Sequence, residues 1–583
     1  MHMQELPSAA DTEGKSHGLS EQASDSDEKD HSSSKDNRKE AYTNLPKVTL
    51  TSLTETGQDE LTIPVLKQRS YTGIKLIQSA LADTLCADLG VNGVLEKLNT
   101  ILGTSYTLDS VISILNPYIA QGSDFGTAYA YLRRYWNDIQ TLEAELRTRE
   151  AKDREMRRKV LVDGKITERD VPPRRVWDLY ANRVIPYWVA RPKPWAISHA
   201  WVAWKDRVDV MTPINGREWP VPMPKDAKLD LIRIEMLNAR LTWAPYIETQ
   251  YIWLDVLCLR QDGGEGEHLR LEEWKLDVPT IGSVYEQAYP FVVCYFNGLG
   301  RPLHLPPGYF ESDRCWFRRA WTLQEITDDA IIGGETGNYV MDKQVQRRFD
   351  EQMASLQRKR LSRSILDLVS EMQRRESTKP LDKVAGLVYL LETKSIPIYD
   401  TEKSAAEAWD VLVDVMDPWF RGQLLLFYPE PGDGSKCWRP SWPQLMTYEA
   451  IAPGFTGFPG NVWRENNPDA DLYVGSNIQL GNVRGLSEVP KELKPRQGEL
   501  VLNDDTGAPR TLTVVADHAY PIPDGVYTVI GWFSSTSGSQ HWIIGQLTDD
   551  GMFKKLSVFR TVGNELVRLK ELAPKDQVEL FLC

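Results

Sequence analysis

Tyr251 to Leu259 reads YIWLDVLCL, and every position except Asp255 is apolar. A strand with no face set aside for water is expected inside a parallel sheet that helices cover on both sides. Outward from this stretch, strand and helix alternate. Upstream, WAISHAW (Trp195 to Trp201) sets Trp195, Ile197, His199 and Trp201 on one side of a strand and smaller residues on the other, and KLDLIRIEMLNARL (Lys228 to Leu241) reads as helix. Downstream, EEWKLDVPTIGSVYEQA reads as helix with a break near Pro279, FVVCYF (Phe291 to Phe296) as a short strand, and CWFRRAWTLQE (Cys315 to Glu325) as a helix after a Gly-Pro loop. This alternation predicts right-handed βαβ units in an α/β domain whose open, mostly parallel sheet has flanking helices. Eleven of the nineteen tryptophans lie between Trp177 and Trp321, a density that belongs to a folded core and not to a linker.

A chain of 583 residues has room for roughly three or four domains. Residues 1–45 are rich in Ser, Asp, Glu and Lys and too poor in apolar residues to offset ordering entropy, so this tail is expected to be disordered. Residues 46–170 read as helical, ending in AELRTREAKDREMRRK, whose mixed signs at i, i+4 predict an exposed, salt-bridged helix. Pro172 and Pro173 mark a boundary, followed by the α/β domain at 171–335 and a helical extension at 336–450. From 465 to 583, short strands such as GVYTVIGWF and FKKLSVFRTV, broken by SGS and DDG turns, predict an antiparallel β domain. The net charge of −14 argues against nucleic-acid and anionic-membrane partners. Six scattered cysteines without a CxxC pair fit neither a disulfide framework nor a zinc site and suit a reducing compartment. With no signal-peptide pattern and no apolar run of about twenty residues, a cytoplasmic protein off the membrane is expected.

As a helix, CWFRRAWTLQE carries Arg318, Trp321, Thr322 and Glu325 at i, i+3, i+4 and i+7: a cation, a π surface, a hydroxyl and a carboxylate on one face. Together with AISHAW and YIWLDVLCLRQD, taken in that order, this block resembles the signature of the fungal heterokaryon incompatibility (HET) domain. That pattern has a Ser-aromatic strand end, an Ile-Asp-x-x-Cys-Ile-x-Gln-Asp strand and an Arg-x-Trp-Thr-Leu-Gln-Glu helix. The resemblance covers about 176–334, and KPLDKVAGLVYLL (Lys379 to Leu391) is similar to a segment that often follows the domain. The sequence departs from the pattern at His199-Ala200-Trp201, where Tyr/Cys-Trp-Gly is usual. The resemblance implies nonself recognition and regulated cell death in a fungus, through self-association or another incompatibility or receptor protein. It also implies a TIR/flavodoxin-like fold, since the family is held to be distantly similar to Toll/interleukin-receptor (TIR) domains. Some of those cleave NAD with a glutamate on the helix after the third strand, and Glu325 falls in the matching place.

In an open α/β sheet, ligands bind beyond the carboxyl ends of the strands, near the reversal of strand order. Those ends carry Ser198, His199 and Trp201, then Arg260, Gln261 and Asp262 with Gly263 and Gly264. These residues, with Arg318 and Trp321, form the candidate ligand set, and Glu325 is the candidate catalytic residue. Arg260 could pair with a pyrophosphate, Trp201 or Trp321 could stack on a ring, and the glycines could bring backbone amides to a phosphate. A carboxylate aimed at a ribose would stabilise the oxocarbenium-like cation formed as nicotinamide leaves. NAD is then the candidate substrate, and no bound cofactor or metal is expected. Structural roles compete throughout: Asp255 as a cap or an acceptor of buried backbone bonds, Cys258 as a small core hydrophobe, His199 as a satisfied core histidine. A Cys258–His199 nucleophile pair lacks an orienting third group. GGEG is not followed by Gly-Lys-Ser/Thr and is no P-loop. The alternative to an enzyme is an oligomerising scaffold in which Glu325 is structural.

Overall fold

Val176 and Trp177, paired with Ile185 and Val184, open the central sheet as an antiparallel hairpin of β1 (Arg175–Asp178) and β2 (Arg183–Pro186). The computed structural model describes residues 48–58, 69–71, 75–190, 192–243, 250–288, 291–327, 330–336, 340–361, 364–447, 460–465, 470–489, 494–504, 506–531, 539–572 and 578–583. The serine-rich tail at 1–45 lies outside them. The sheet continues with β3 (Trp195–His199), β4 (Tyr251–Leu254), β5 (Val292–Tyr295) and β6 (Ile331–Ile332), in the order β6-β5-β3-β4-β1-β2. Pairing is parallel from β6 through β5 and β3 to β4, then antiparallel from β4 to β1. Every residue of β3, β4 and β5 is buried, which is why these segments lack a polar period. Helices α1 (Leu229–Trp243), α3 (Arg270–Asp277) and α4 (Ile281–Ala288) fall in the connections, the last two split at Pro279 as expected. The protein is thus mixed α/β. Its first parallel strand, β3, lies between the second and the third, so the order reverses beside it.

Two expected elements are corrected. YIWLDVLCL is not one strand. The strand stops at Leu254, and Asp255–Cys258 closes a helical turn, α2, with Leu259 N–H donating to Asp255 O at 2.9 Å. The Asp255 carboxylate accepts the Val256 amide at 2.7 Å, a local bond that competes with the sheet ladder. Nor is CWFRRAWTLQE one helix. A 3₁₀ turn at Trp316–Arg318 gives way to extended Arg319, with ψ 135°, before α5 (Thr322–Glu325). The chain there pairs with a neighbouring segment: Ala320 N–H donates to Glu376 O at 3.0 Å and Arg319 bridges Glu376.

Upstream, the helices Cys86–Leu102, Leu108–Ala120 and Phe125–Leu132 share a core with Val176 and Ile185 of the β1–β2 hairpin. Ile139–Lys159 is the expected charged helix, laced by Arg147–Glu143, Arg149–Glu145, Arg154–Glu150 and Arg157–Asp153 at i, i+4. The extension supplies Ile365–Gln373, α6 (Pro380–Val388), Ala405–Val415 and Pro418–Phe427. In the carboxyl-terminal part, strands Asp471–Arg484, Arg496–Asn503, Pro509–Ala516, Phe553–Val562, Ser539–Leu547 and Gly525–Gly531 pair in that order, and the last pairs back to the first. Each step is antiparallel, so the ring closes on a core including Leu500, Leu512, Val529 and Trp542, and closure removes exposed edges. Among the described residues no helix is long and apolar enough to cross a membrane.

Candidate active site beyond the parallel strands

A cavity of about 420 Å³ opens where β3 and β4 end. His199 is the last residue of β3 and Asp255 the first after β4; the strands pair so that Ile197 faces Leu254. His199 Nε2–H donates to Asp255 Oδ1 at 2.9 Å. Burial works against charge on this imidazole, but Asp255, and beyond it Glu325, outweigh that and hold its pKa above the usual value. The Trp201 indole lies 5.4 Å from the His199 ring, and the Arg207 guanidinium sits 5.5 Å over that indole.

Glu325 enters from α5 and is only 8 % exposed. Ser198 Oγ–H donates to its carboxylate, and Ser198 Oγ accepts the Trp316 indole N–H at 2.8 Å. Burial pushes the Glu325 carboxyl up to about 7 and Asp255 adds to the rise; Ser198, His199 and Arg375 hold it from going further. Arg375 comes from the extension. Its Nη1 donates to Arg319 O at 2.6 Å and to Thr322 Oγ1 at 2.8 Å, and burial lowers its pKa to about 10. Aromatic rings pair along the walls: Trp253 with Tyr285 at 5.6 Å, Trp274 with Tyr399 at 6.1 Å, Trp321 with Tyr399 at 6.4 Å. Tyr399 O–H donates to Asp382 Oδ1 at 2.7 Å. The walls therefore take residues from both sides of the boundary expected at 335.

Compared with known proteins, the chain matches no family model, no curated protein and no solved structure.

Of the residues expected from sequence, His199, Trp201, Gln261, Trp321 and Glu325 line the cavity, and Ser198 stands behind Glu325 as its hydrogen-bond donor. Gln261 spends its amide on Leu259 O at 2.8 Å. Three others are held elsewhere. Arg260 pairs with Glu218 at 3.1 Å and Glu273 at 3.4 Å over the Trp219 ring. Asp262 meets Arg270, and Arg318 donates to Glu311 O and reaches Glu376. The glycines serve packing. Gly263 N–H donates to Glu267 Oε2 at 2.7 Å, and Gly264, at φ 106°, leaves a gap that a Cβ would close to 2.1 Å from Glu218 O. Cys258 is buried and its thiol pushed up to about 12, as a core residue; the partner of His199 is Asp255.

Sequence reasoning missed Asp255 as that partner, along with Arg319, Trp274, Tyr285, Lys379, Asp382 and Tyr399 on the walls. Asp255 carried a signal, as the single charge in an apolar run. The RR doublet at 318–319 was legible as a pair, but helical spacing selected the wrong member.

Proposed function

We propose that the chain is a fungal HET-domain protein with a TIR/flavodoxin-like α/β domain, acting in nonself recognition and regulated cell death by hydrolysing NAD at Glu325. The observation that carries this reading is the Glu325 carboxyl, buried in the wall of an aromatic-lined cavity at the strand ends and poised near neutrality. The strand order, with its reversal beside β3, supports the fold named here.

Flat aromatic walls suit a planar base or nicotinamide ring. Nicotinamide in NAD is a pyridinium cation, and a cation beside Glu325 draws off its proton and leaves a carboxylate. The C1′–N bond then breaks with its electron pair going to nicotinamide, and the carboxylate stabilises the oxocarbenium-like ribosyl group. Water adds to C1′ and its proton passes to solvent, giving ADP-ribose, nicotinamide and one proton. Self-association brings the domain to its active state.

The test is nicotinamide release by the purified full-length chain, free and clustered through a fused dimeriser. The expected result is turnover on clustering, lowered about 10²–10³-fold by Glu325→Gln. Intact NAD in the clustered sample, or equal rates for the two proteins, ends the enzymatic reading. The Trp316–Ser198–Glu325 bonds favour a second reading, in which Glu325 is a structural tie in a non-enzymatic, oligomerising scaffold. That reading expects folded Glu325→Gln to kill cells as well as wild type does.

A further inference from the structure

Several arginines in the central region come with carboxylate partners: Arg133 with Asp178, Arg157 with Asp277, Arg175 with Glu273, Arg183 with Asp124, Arg260 with Glu273. Arg319 does not. Its guanidinium lies in the cavity wall, half-buried, with no hydrogen bond or ion pair among the described residues. Leaving a sheltered cation unpaired is costly, and it happens in a chain with 82 acidic residues to choose from. A second arginine, Arg314, stands on the exposed rim of the same cavity, solvated and without an ion pair among the described residues. Burial and then repulsion from Arg314 disfavour the charged form of Arg319; Asp382, Glu325 and Glu376 attract it from farther off.

The backbone explains why Arg319 and not Arg318 faces inward. In a continuous helix the two would diverge by one residue's turn, with Arg318 sharing the face of Glu325. The bridge to Glu376 holds Arg319 extended, sends Arg318 to Glu311 O and Glu376, and leaves Arg319 on the cavity wall. Two guanidinium forks on one cavity suit an anion with several oxygens, such as the two linked phosphoryl groups of a diphosphate.

We infer that Arg319 and Arg314 form an anion subsite in this cavity that selects ligands bearing a diphosphate, so that the substrate class is a nucleoside diphosphate ester and not a neutral nucleoside. The inference rests on the proposed NAD-cleaving reading only for the organic part of the ligand. The anion preference comes from the arginines.

Quenching of the intrinsic tryptophan fluorescence of the full-length protein tests it, with ADP-ribose, ADP and adenosine as probes. The expected result is ADP-ribose and ADP each binding at least about tenfold tighter than adenosine. Arg319→Gln and Arg314→Gln should each remove most of that preference while leaving adenosine affinity within about twofold. Arg319→Lys, which keeps the charge and loses the fork, should fall between, and it stands in if Arg319→Gln does not fold. Equal affinity for ADP-ribose and adenosine overturns the inference, as does failure of all three probes to bind. Tight ADP-ribose with weak ADP also overturns it, since recognition would then lie in the terminal ribose. Anion preference without NAD cleavage keeps the subsite and removes the proposed enzyme; cleavage without anion preference does the reverse.

Discussion

At the scale of single residues, Glu325 and His199 both hold protons more tightly than free side chains do, and the sign of the consequence is the same for each. Glu325 has a folded pKa near 7, above the usual 4.3 of an unfolded glutamate. The folded state therefore keeps a proton that the unfolded state has lost, and stability declines as pH rises between about 4.5 and 7. By the time pH passes 7 this one carboxyl opposes folding by roughly 3 kcal/mol. His199, raised mainly by Asp255 against its own burial, adds stability at low pH that is lost as pH rises through its folded pKa. Glu325→Gln cancels the first effect and weakens the second, because Glu325 is one of the groups that hold the His199 pKa up. Its melting temperature relative to wild type should be lowest near pH 5, climb to about pH 7 and level off above it. A difference that stays flat across that range would mean the carboxyl is not buried as described.

At the scale of elements, the segment from Cys315 to Glu325 carries the lesson. Residue types and spacing identified Trp321 and Glu325 correctly as neighbours of the cavity, because both lie within one turn of each other. Arg318 was assigned by the same helical period, and that period ends at Arg319, where the chain pairs with Glu376. A backbone partner 57 residues away leaves no trace in local spacing. The short α5 that follows is held by Thr322, whose hydroxyl donates to Trp316 O at 2.7 Å and accepts from Arg375 Nη1 at 2.8 Å. Thr322→Val keeps the shape and leaves one Arg375 Nη1 hydrogen without its acceptor in a buried setting, while Trp316 O keeps the Arg319 N–H, so it should cost about 1–3 kcal/mol. The denaturant midpoint followed by tryptophan fluorescence reads this, and Thr322→Ser should restore most of the loss. If valine is as stable as threonine, the hydroxyl is not what ties the turn to Arg375.

At the scale of the whole molecule, the expected domain boundaries divide what packing joins. One continuous core runs from Leu50 through the central sheet and the helical extension to Tyr473 and Leu582 of the β part. The Arg421–Asp471 ion pair, almost fully buried, ties the extension to the first ring strand. Lys379, Asp382 and Tyr399 line the cavity, and Arg375 backs Glu325. A fragment of residues 171–335 thus loses part of the cavity wall and exposes much of its core. Circular dichroism should find no cooperative melt in that fragment, whereas the full chain unfolds sharply. A sharp melt with ADP-ribose binding in the fragment would show that the extension is dispensable.

Local pattern was enough for the elements themselves: continuous apolar runs became buried strands, Pro279 split its helix, mixed charge at i, i+4 became an exposed salt-bridged helix, and closely spaced turns gave the β part. These follow from interactions within a few residues, which the order of the chain displays directly. Which arginine meets the cavity, which acid holds His199 and how far the site extends past 335 depend on contacts across about 50 to 130 residues. Burial alone decides whether a given carboxyl or guanidinium is solvated, paired or left waiting for a ligand, and burial exists only once the chain has folded.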